Sequence, residues 1–537
     1  MIQSSRLALR AVVSGLLLTS LCVPVLGAEQ GSPDETFSVF EYRVLGNTTL
    51  AARDIEASLY PQLGEHKSIA DVEAVRQTLE KLYRDRGYGT IYVDIPEQTI
   101  DGGIVRLRVT EGRLDRVRIS GARYFANGAI RDMLPALQSG TVVPLAVLQE
   151  QLTRVNQQSA DRQVTPVLRA GKESGLVDVE LRVKDTLPLH ASVEVNDRYT
   201  ANTSRTRLNV NAGYDNLFLR FHRLSFQYQT APESPDETRV LAATYIAPAG
   251  SEGNLLAAYA VDTNSDFAAI GDAGAFGVLG AGRIYGARYI VRLPATGAFS
   301  QNATFGADYK DFADNIKLAG GVTDTTPIRY LLWSLGYQGN AGGMSGSTGF
   351  NVTASFGMRG VVNEPAAFEF KRYKAQPNFF YVRADATHDH ALWGGSSLAA
   401  RVAGQWTGSP VVSNEQFAMG GAESIRGYLE SAQLGDLGLS GGLELRSPSF
   451  HQWFGGAVDR LVAVVFADAG IVSILEPLPD QNDVLTRSVS LSSWGAGLRL
   501  AGPGGLNATV DWAYPLQSSS ATLKGDSRLH FQVRYGF

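Results

Sequence analysis

His388 and His390 are the pair of side chains whose type and spacing could together hold a metal ion. No third ligand lies near them, and they fall in a strand-to-turn stretch, which favours a solvated pair over a metal centre. The one cysteine, Cys22, sits among apolar residues at the extreme N-terminus. The rest of the chain therefore offers no thiol nucleophile, disulfide or cysteine–metal site. Neither a P-loop nor an H-E-x-x-H pattern occurs, and Gly280 and Gly282 lack the third glycine of a dinucleotide-binding turn. We accordingly expect no enzyme, no cofactor and no metal. Two segments stand apart. In "FAMGGAESIRGY" the glycines Gly420 and Gly421 permit a tight turn shortly before Ile425, Arg426, Gly427 and Tyr428. In "FADAG" an acid, Asp468, shares one face of an alternating strand with Phe466 and Gly470.

The elements that must carry these segments change style along the chain. Its 537 residues allow three or four modules, and the net charge of −5 gives no reason to expect nucleic acid as a partner. Mean hydropathy is −0.07, and the one long apolar run is N-terminal, so a bundle of spanning helices is excluded. Glycine is abundant, 57 residues in all, or about 11% against an average near 7%. Arg6 and Arg10, the apolar stretch Ala11 to Leu26, and the small residues Gly27 and Ala28 read as a secretory signal peptide over residues 1–28.

Residues 37–187 read as two copies of a β-α-α-β-β unit, 37–111 and 112–187. The first opens with a strand through Phe37, Val39, Tyr42 and Val44 and turns at Gly46-Asn47. A helix over Ala70 to Arg86 shows Val72, Val75, Leu79 and Leu82 at helical spacing. Strands at Thr90–Ile95 and Ile104–Thr110 complete it. The second copy repeats the order, with its turn at Gly121, helices over Asn127–Leu137 and Leu145–Gln158, and strands Val164–Leu168 and Leu176–Val183.

Residues 188–537 lose helical periodicity. Sixteen alternating segments, from 189–198 to 527–537, recur between polar turns. An even number of ~10-residue alternating segments suits a closed antiparallel transmembrane barrel, which leaves no unpaired edge facing lipid. Connections after odd-numbered segments are mostly long, such as 361–377 and 408–436, and those after even-numbered ones include short turns. In the last segment Leu529, Phe531, Val533, Tyr535 and Phe537 share an apolar face, opposite His530, Gln532 and Arg534.

The tandem β-α-α-β-β units, with "YRVLGNTTL" as an opening strand, resemble POTRA domains. Together with sixteen barrel segments, the Ile425-Arg426-Gly427-Tyr428 motif in the sixth long loop and the F-x-D-x-G motif at Phe466–Gly470, the chain resembles the TpsB transporters of two-partner secretion. The resemblance implies a loop, 408–436, folded into the lumen with Arg426 meeting Asp468, where a guanidinium fork could not be replaced by lysine. It implies a C-terminal assembly signal at Phe531, Val533, Tyr535 and Phe537 for the barrel-assembly machinery. Expected partners are outer-membrane lipid and a secreted exoprotein of the adhesin or haemolysin class, bound by periplasmic POTRA domains and exported through an outer-membrane barrel. Alternatives are an insertase of the same superfamily and a solute porin. About eight residues separate the expected cleavage site from Phe37, too few for the plug helix of some members at ~1.5 Å per residue. The sixth loop is then expected to be the main barrier in the lumen.

Overall fold

The computed structural model describes residues 36–173, 175–201, 203–250, 253–265, 267–270, 276–317, 323–362, 364–477 and 487–537. The expected signal peptide, residues 1–28, lies outside them. The described residues form two compact units: one within 36–118, 134–152 and 166–181, the other within 119–133, 153–165 and 182–537.

In the first repeat, Ile104–Glu111 is the central strand of a three-stranded sheet. It lies parallel to Glu41–Leu45 and antiparallel to Ile91–Asp94. Helix α1 (Ala52–Leu59) precedes α2 (Ile69–Asp85). Ser68 and Asp71 start α2 with reciprocal side-chain and backbone bonds of 3.3 and 2.8 Å, satisfying amides that the first turn leaves open. Val75, Leu79 and Tyr83 recur on its buried face and pack against Ile91, Val93, Leu107 and Val109. Full burial of each such side chain contributes roughly 1.5–3 kcal/mol. The single opening strand expected from the pattern is broken. Phe37–Val39 pairs instead with Gly64–Lys67, and the amides of Phe40 and Glu41 both donate to the Gly103 carbonyl, which redirects the chain.

The second repeat places Leu176–Asp185 between Arg113–Ser120 and Arg162–Ala170, with α3 (Asn127–Asp132) and α4 (Leu145–Gln158). Helix α3 stops short of the expected Leu137, since Pro135 disfavours helical geometry at Leu134. The repetition extends to single atoms. Gly46 (φ +85°) and Gly121 (φ +87°) each leave no room for a side chain: a Cβ would lie 2.4 Å from the Val109 oxygen and 2.3 Å from the Val183 oxygen. Two residues beyond those carbonyls stands an acid that holds the turn. Glu111 accepts from the Thr48 amide at 2.6 Å, and Asp185 from the Arg123 and Tyr124 amides at 2.9 and 2.8 Å.

Sixteen strands make the closed antiparallel barrel. In order they are Leu189–Asn196, Arg207–Leu217, His222–Thr230, Arg239–Ala249, Asn254–Asn264, Gly282–Thr296, Phe299–Lys317, Thr323–Gly343, Gly346–Gly357, Phe380–Ala391, Ser397–Thr407, Leu437–Arg446, Arg460–Ser473, Ser488–Gly502, Leu506–Pro515 and Arg528–Gly536. The ring closes where the last strand pairs with the first, from Gln532 opposite Asn196 to Gly536 opposite Ser192. Side chains alternate as period two demands. Leu241, Tyr285, Leu335, Leu443, Val465 and Leu529 are exposed, while inward neighbours such as Val240, Ile284, Ser334, Glu444, Val464 and His530 are buried. Three elements went unanticipated: a hairpin of Phe267–Ile270 with Phe276–Leu279, a hairpin of Phe417–Met419 with Gln433–Gly435 inside the sixth long loop, and helix α5 (Pro365–Lys371) in the fifth.

Candidate functional site: a loop clamped inside the barrel

The sixth long loop, residues 408–436, folds back against inward-facing side chains of the wall. Its turn depends on Gly420 and Gly421, at φ +109° and +113°. The turn delivers Ile425, Arg426 and Tyr428 to positions at most 3% exposed. Ile425 and Tyr428 join Met419, Val472 and Leu491 in a small apolar cluster. The Tyr428 hydroxyl donates to the carbonyls of Gln517 (2.9 Å) and Ser492 (3.1 Å). The amide of Gly427 donates to His530 Nε2 at 2.9 Å, and His530 Nδ1 faces Asp197 Oδ2 at 3.1 Å.

Arg426 makes the densest set of bonds. Its Nε and Nη2 reach Asp468 Oδ2 and Oδ1 at 2.8 and 3.1 Å, the parallel fork that only a guanidinium supplies. Nη1 adds Glu444 at 2.8 Å and Asp511 at 3.4 Å, and the guanidinium carbon lies 3.3 Å from the centre of the Phe466 ring. Phe466 and Asp468 face inward from the thirteenth strand, with Gly470 two residues on. At Gly470 a Cβ would lie 2.7 Å from the Met419 sulfur, so the bare backbone admits the loop's own hairpin.

Neighbouring strands supply partners that the sequence reading missed. Arg401 of the eleventh strand bonds Asp468 Oδ1 at 2.8 Å and the loop carbonyls of Glu423 and Ser424 at 2.6 and 2.7 Å. Arg499 spans Asp511 and Glu444, and Arg446 completes Glu444. Charges of both signs are therefore interspersed across five adjacent strands, each acid facing at least one arginine, which lowers the cost of burying each group. Room is made by glycine: at Gly442 a Cβ would lie 2.2 Å from Asp468 Oδ1. Inward parity along these strands was the available signal, since each charge occupies an alternate position.

A second anchor holds the loop's near end. Glu415, fully buried, accepts from Lys310 Nζ and Tyr330 at 2.5 Å and from Tyr381 at 2.7 Å. Asp436, equally buried, accepts from Arg372 at 2.8 Å and from the Val411 and Leu475 amides at 3.0 and 2.7 Å.

Other groupings are poorer in chemistry. His388 and His390 are exposed rings stacked 5.8 Å apart. Among the described residues, Asp161, His190 and Asp215 bring one ligand atom each within 4.8 Å of one another. There the His190 Nε2 already lies 2.9 Å from Asp161, and Arg223 lies 3.2 Å from Asp215. Gly438-Leu439-Ser440-Gly441-Gly442 has the G-x-S-x-G spacing of a nucleophile elbow. It lies inside the twelfth strand, where Ser440 registers opposite Ala403 and Gly470, instead of on a strand-to-helix turn.

The terminal residues Val533, Tyr535 and Phe537 are outward and exposed, and Phe531 is half-buried between the fifteenth strand and Asp197.

Comparison with known proteins decides what kind of barrel this is. The family model for haemolysin secretion/activation proteins of the ShlB/FhaC/HecB type matches residues 175–500, and a ShlB-type POTRA model matches residues 37–112. The chain belongs to this secretion family. Relatives include the outer membrane transporter CdiB of Dickeya dadantii, 22% identical over 78% of this chain and 74% of that protein. The heme/hemopexin transporter protein HuxB of Haemophilus influenzae is 22% identical over 88% and 82%. Among solved structures, CdiB from Escherichia coli superposes with a TM-score of 0.66 at 20% identity, covering 96% of this chain and 93% of that one. BamA from Haemophilus ducreyi lacking POTRA domains 1–3 gives 0.57 at 15%, over 93% and 100%. The barrel fold is thus shared beyond the family, and the family match is what favours secretion over insertion. As a member, the chain is an outer-membrane protein transporter of two-partner secretion, with its N-terminal POTRA region in the periplasm.

Proposed function

We propose that the Arg426–Asp468 clamp is the resting lock of this transporter and that export requires its release. The observation that carries the reading is a 3%-exposed arginine of a lumenal loop, forked onto a buried wall aspartate. The division of labour that fits it has a signal peptide at 1–28, POTRA domains at 37–111 and 112–187, and a barrel at 188–537. The substrate is a large exoprotein of the adhesin or haemolysin class that arrives unfolded in the periplasm. It adds strands to open sheet edges such as Glu41–Leu45 and Ile91–Asp94, where backbone groups supply affinity. It then threads through the barrel as the loop shifts. Folding outside withdraws the threaded chain from the equilibrium and drives net transport without a nucleotide. Phe531, Val533, Tyr535 and Phe537 form the strand read by the barrel-assembly machinery, and the exposed apolar faces meet outer-membrane lipid.

The test is a mutant cycle on exported substrate at matched barrel abundance. Arg426→Ala and Asp468→Ala should each insert and secrete poorly. Breaking a buried pair typically costs ~3–5 kcal/mol, and lumenal water reduces that. The double variant should be no worse than the worse single one, because the two changes remove one shared contact. Fully additive losses would mean that the residues act separately.

A further inference from the structure

Opposite in character to the ionic clamp, another part of the lumen wall is apolar. Val240, Tyr259, Ile284, Phe312, Ile328 and Leu332 point inward from the fourth to eighth strands, and each is at most 5% exposed. A water-filled lumen ordinarily carries polar side chains, so an apolar stretch needs a cover. The cover is the fifth long loop. Phe368 of α5, Ala375 and Phe379 are at most 1% exposed and pack in the same cluster, joined by Val411 and Val412 of the sixth loop. The Phe368 ring lies 5.6 Å from that of Tyr330 and 5.8 Å from that of Phe379. Arg372 ties this cover down with two bonds. Arg372 Nη2 donates to Asp436 Oδ2 of the clamped loop and to the Leu475 carbonyl, both at 2.8 Å.

We propose that residues 364–379 are a second plug, latched through Arg372 to Asp436, and that the apolar wall beneath is the guide surface for apolar side chains of the unfolded substrate. The inference rests on the export reading. Removing the cover bares these apolar side chains to water, which holds the plug shut at rest. An extended chain without a core of its own carries apolar side chains that can replace Phe368 and Phe379 there, so plug and substrate exchange with little net exposure. Asp436 connects the plug to the loop that bears Arg426, so that movement of either loop weakens the hold on the other.

The full-length protein tests both halves of the proposal. In planar bilayers, Phe368→Asp and Arg372→Ala should raise single-channel conductance severalfold, while Phe370→Asp, a 70%-exposed neighbour, should leave it unchanged. Wild-type conductance in correctly inserted Phe368→Asp barrels, or equal effects at 368 and 370, would overturn the plug. This readout is independent of export, which the wild-type secretion assay measures separately. The guide surface is tested in a barrel shortened by residues 364–376. There Ile284→Ser with Leu332→Ser should cut exported substrate severalfold at equal barrel abundance. Unchanged export in that background would mean that the wall serves only to seat the loop.

Discussion

The two sides of the lumen hold their loops by opposite physics. From the eleventh to the fifteenth strand the wall presents Arg401, Glu444, Asp468, Arg499 and Asp511, and the loop docks by forked, directional bonds. From the fourth to the tenth the wall beneath the fifth loop is mainly apolar, and that loop docks chiefly by burial, with Lys310–Glu415 and Arg372–Asp436 as ionic exceptions. Ionic docking is specific in geometry and punishes the loss of one partner, because the other charge stays buried. Apolar docking is tolerant in geometry and can accept any chain with similar side chains. The proposed export cycle uses both properties: one lock that recognises a single closed state, and one surface that accepts many sequences.

The strongest challenge to that contrast combines the two sides. Arg426→Ala with Phe368→Asp should give the largest conductance of any pair, yet fall short of the sum of the single gains, since Arg372 already links the plug to the clamped loop. Strictly additive gains in bilayer recordings would show two unconnected plugs.

A smaller effect is expected at Glu415, where the two modes meet. Glu415→Gln keeps a polar group for Tyr330 and Tyr381 but leaves Lys310 buried without its counter-charge. An unsatisfied buried group costs ~1–3 kcal/mol, so the loop's near end should loosen and brief openings become more frequent. Lys310→Met in the same background should restore quiet recordings.

The smallest effect lies outside the barrel and calibrates the ionic side. Burial pushes the Glu111 carboxyl up, but hydrogen bonds from Thr48 and Thr49 outweigh it and hold its pKa below the usual carboxylate value. A carboxyl lowered in the folded state lends stability above its unfolded pKa and loses it as pH falls through the folded one. Amide exchange across residues 41–111 should therefore accelerate on acidification. Glu111→Gln should cost ~1–3 kcal/mol at neutral pH and flatten that dependence. An acid sensitivity unchanged by the substitution would assign it to another group.

Much of the architecture was legible because period two survives in single residues. Alternation alone outlines sixteen strands, and loop length separates the two ends of the barrel. Arg426 and Asp468 came from a motif, and the structure brings them within 2.8 Å. Arg401, Glu444, Arg499 and Asp511 could be assigned to the inward face by parity. Which of them meet depends on register between strands, and that is set by hydrogen bonding across the sheet. Helix α5 has seven residues, too few to establish a helical period, and the hairpin at Phe417–Met419 has three per strand. The break at Phe40 is written in a distant carbonyl, that of Gly103, which no local pattern announces.

The seam between the first and last strands has company from the loop. The Gly427 amide donates to His530 of the last strand, the Glu430 amide donates to the carbonyl of Tyr199 just beyond the first, and Arg528 bonds the Tyr199 hydroxyl at 2.7 Å. Seating the loop and welding the seam are consequently linked equilibria, and each must favour the other by the same free energy. A barrel whose loop has been drawn aside is also a barrel with a weaker weld. Conversely, the final strand is held most firmly once residues 427–430 have come home.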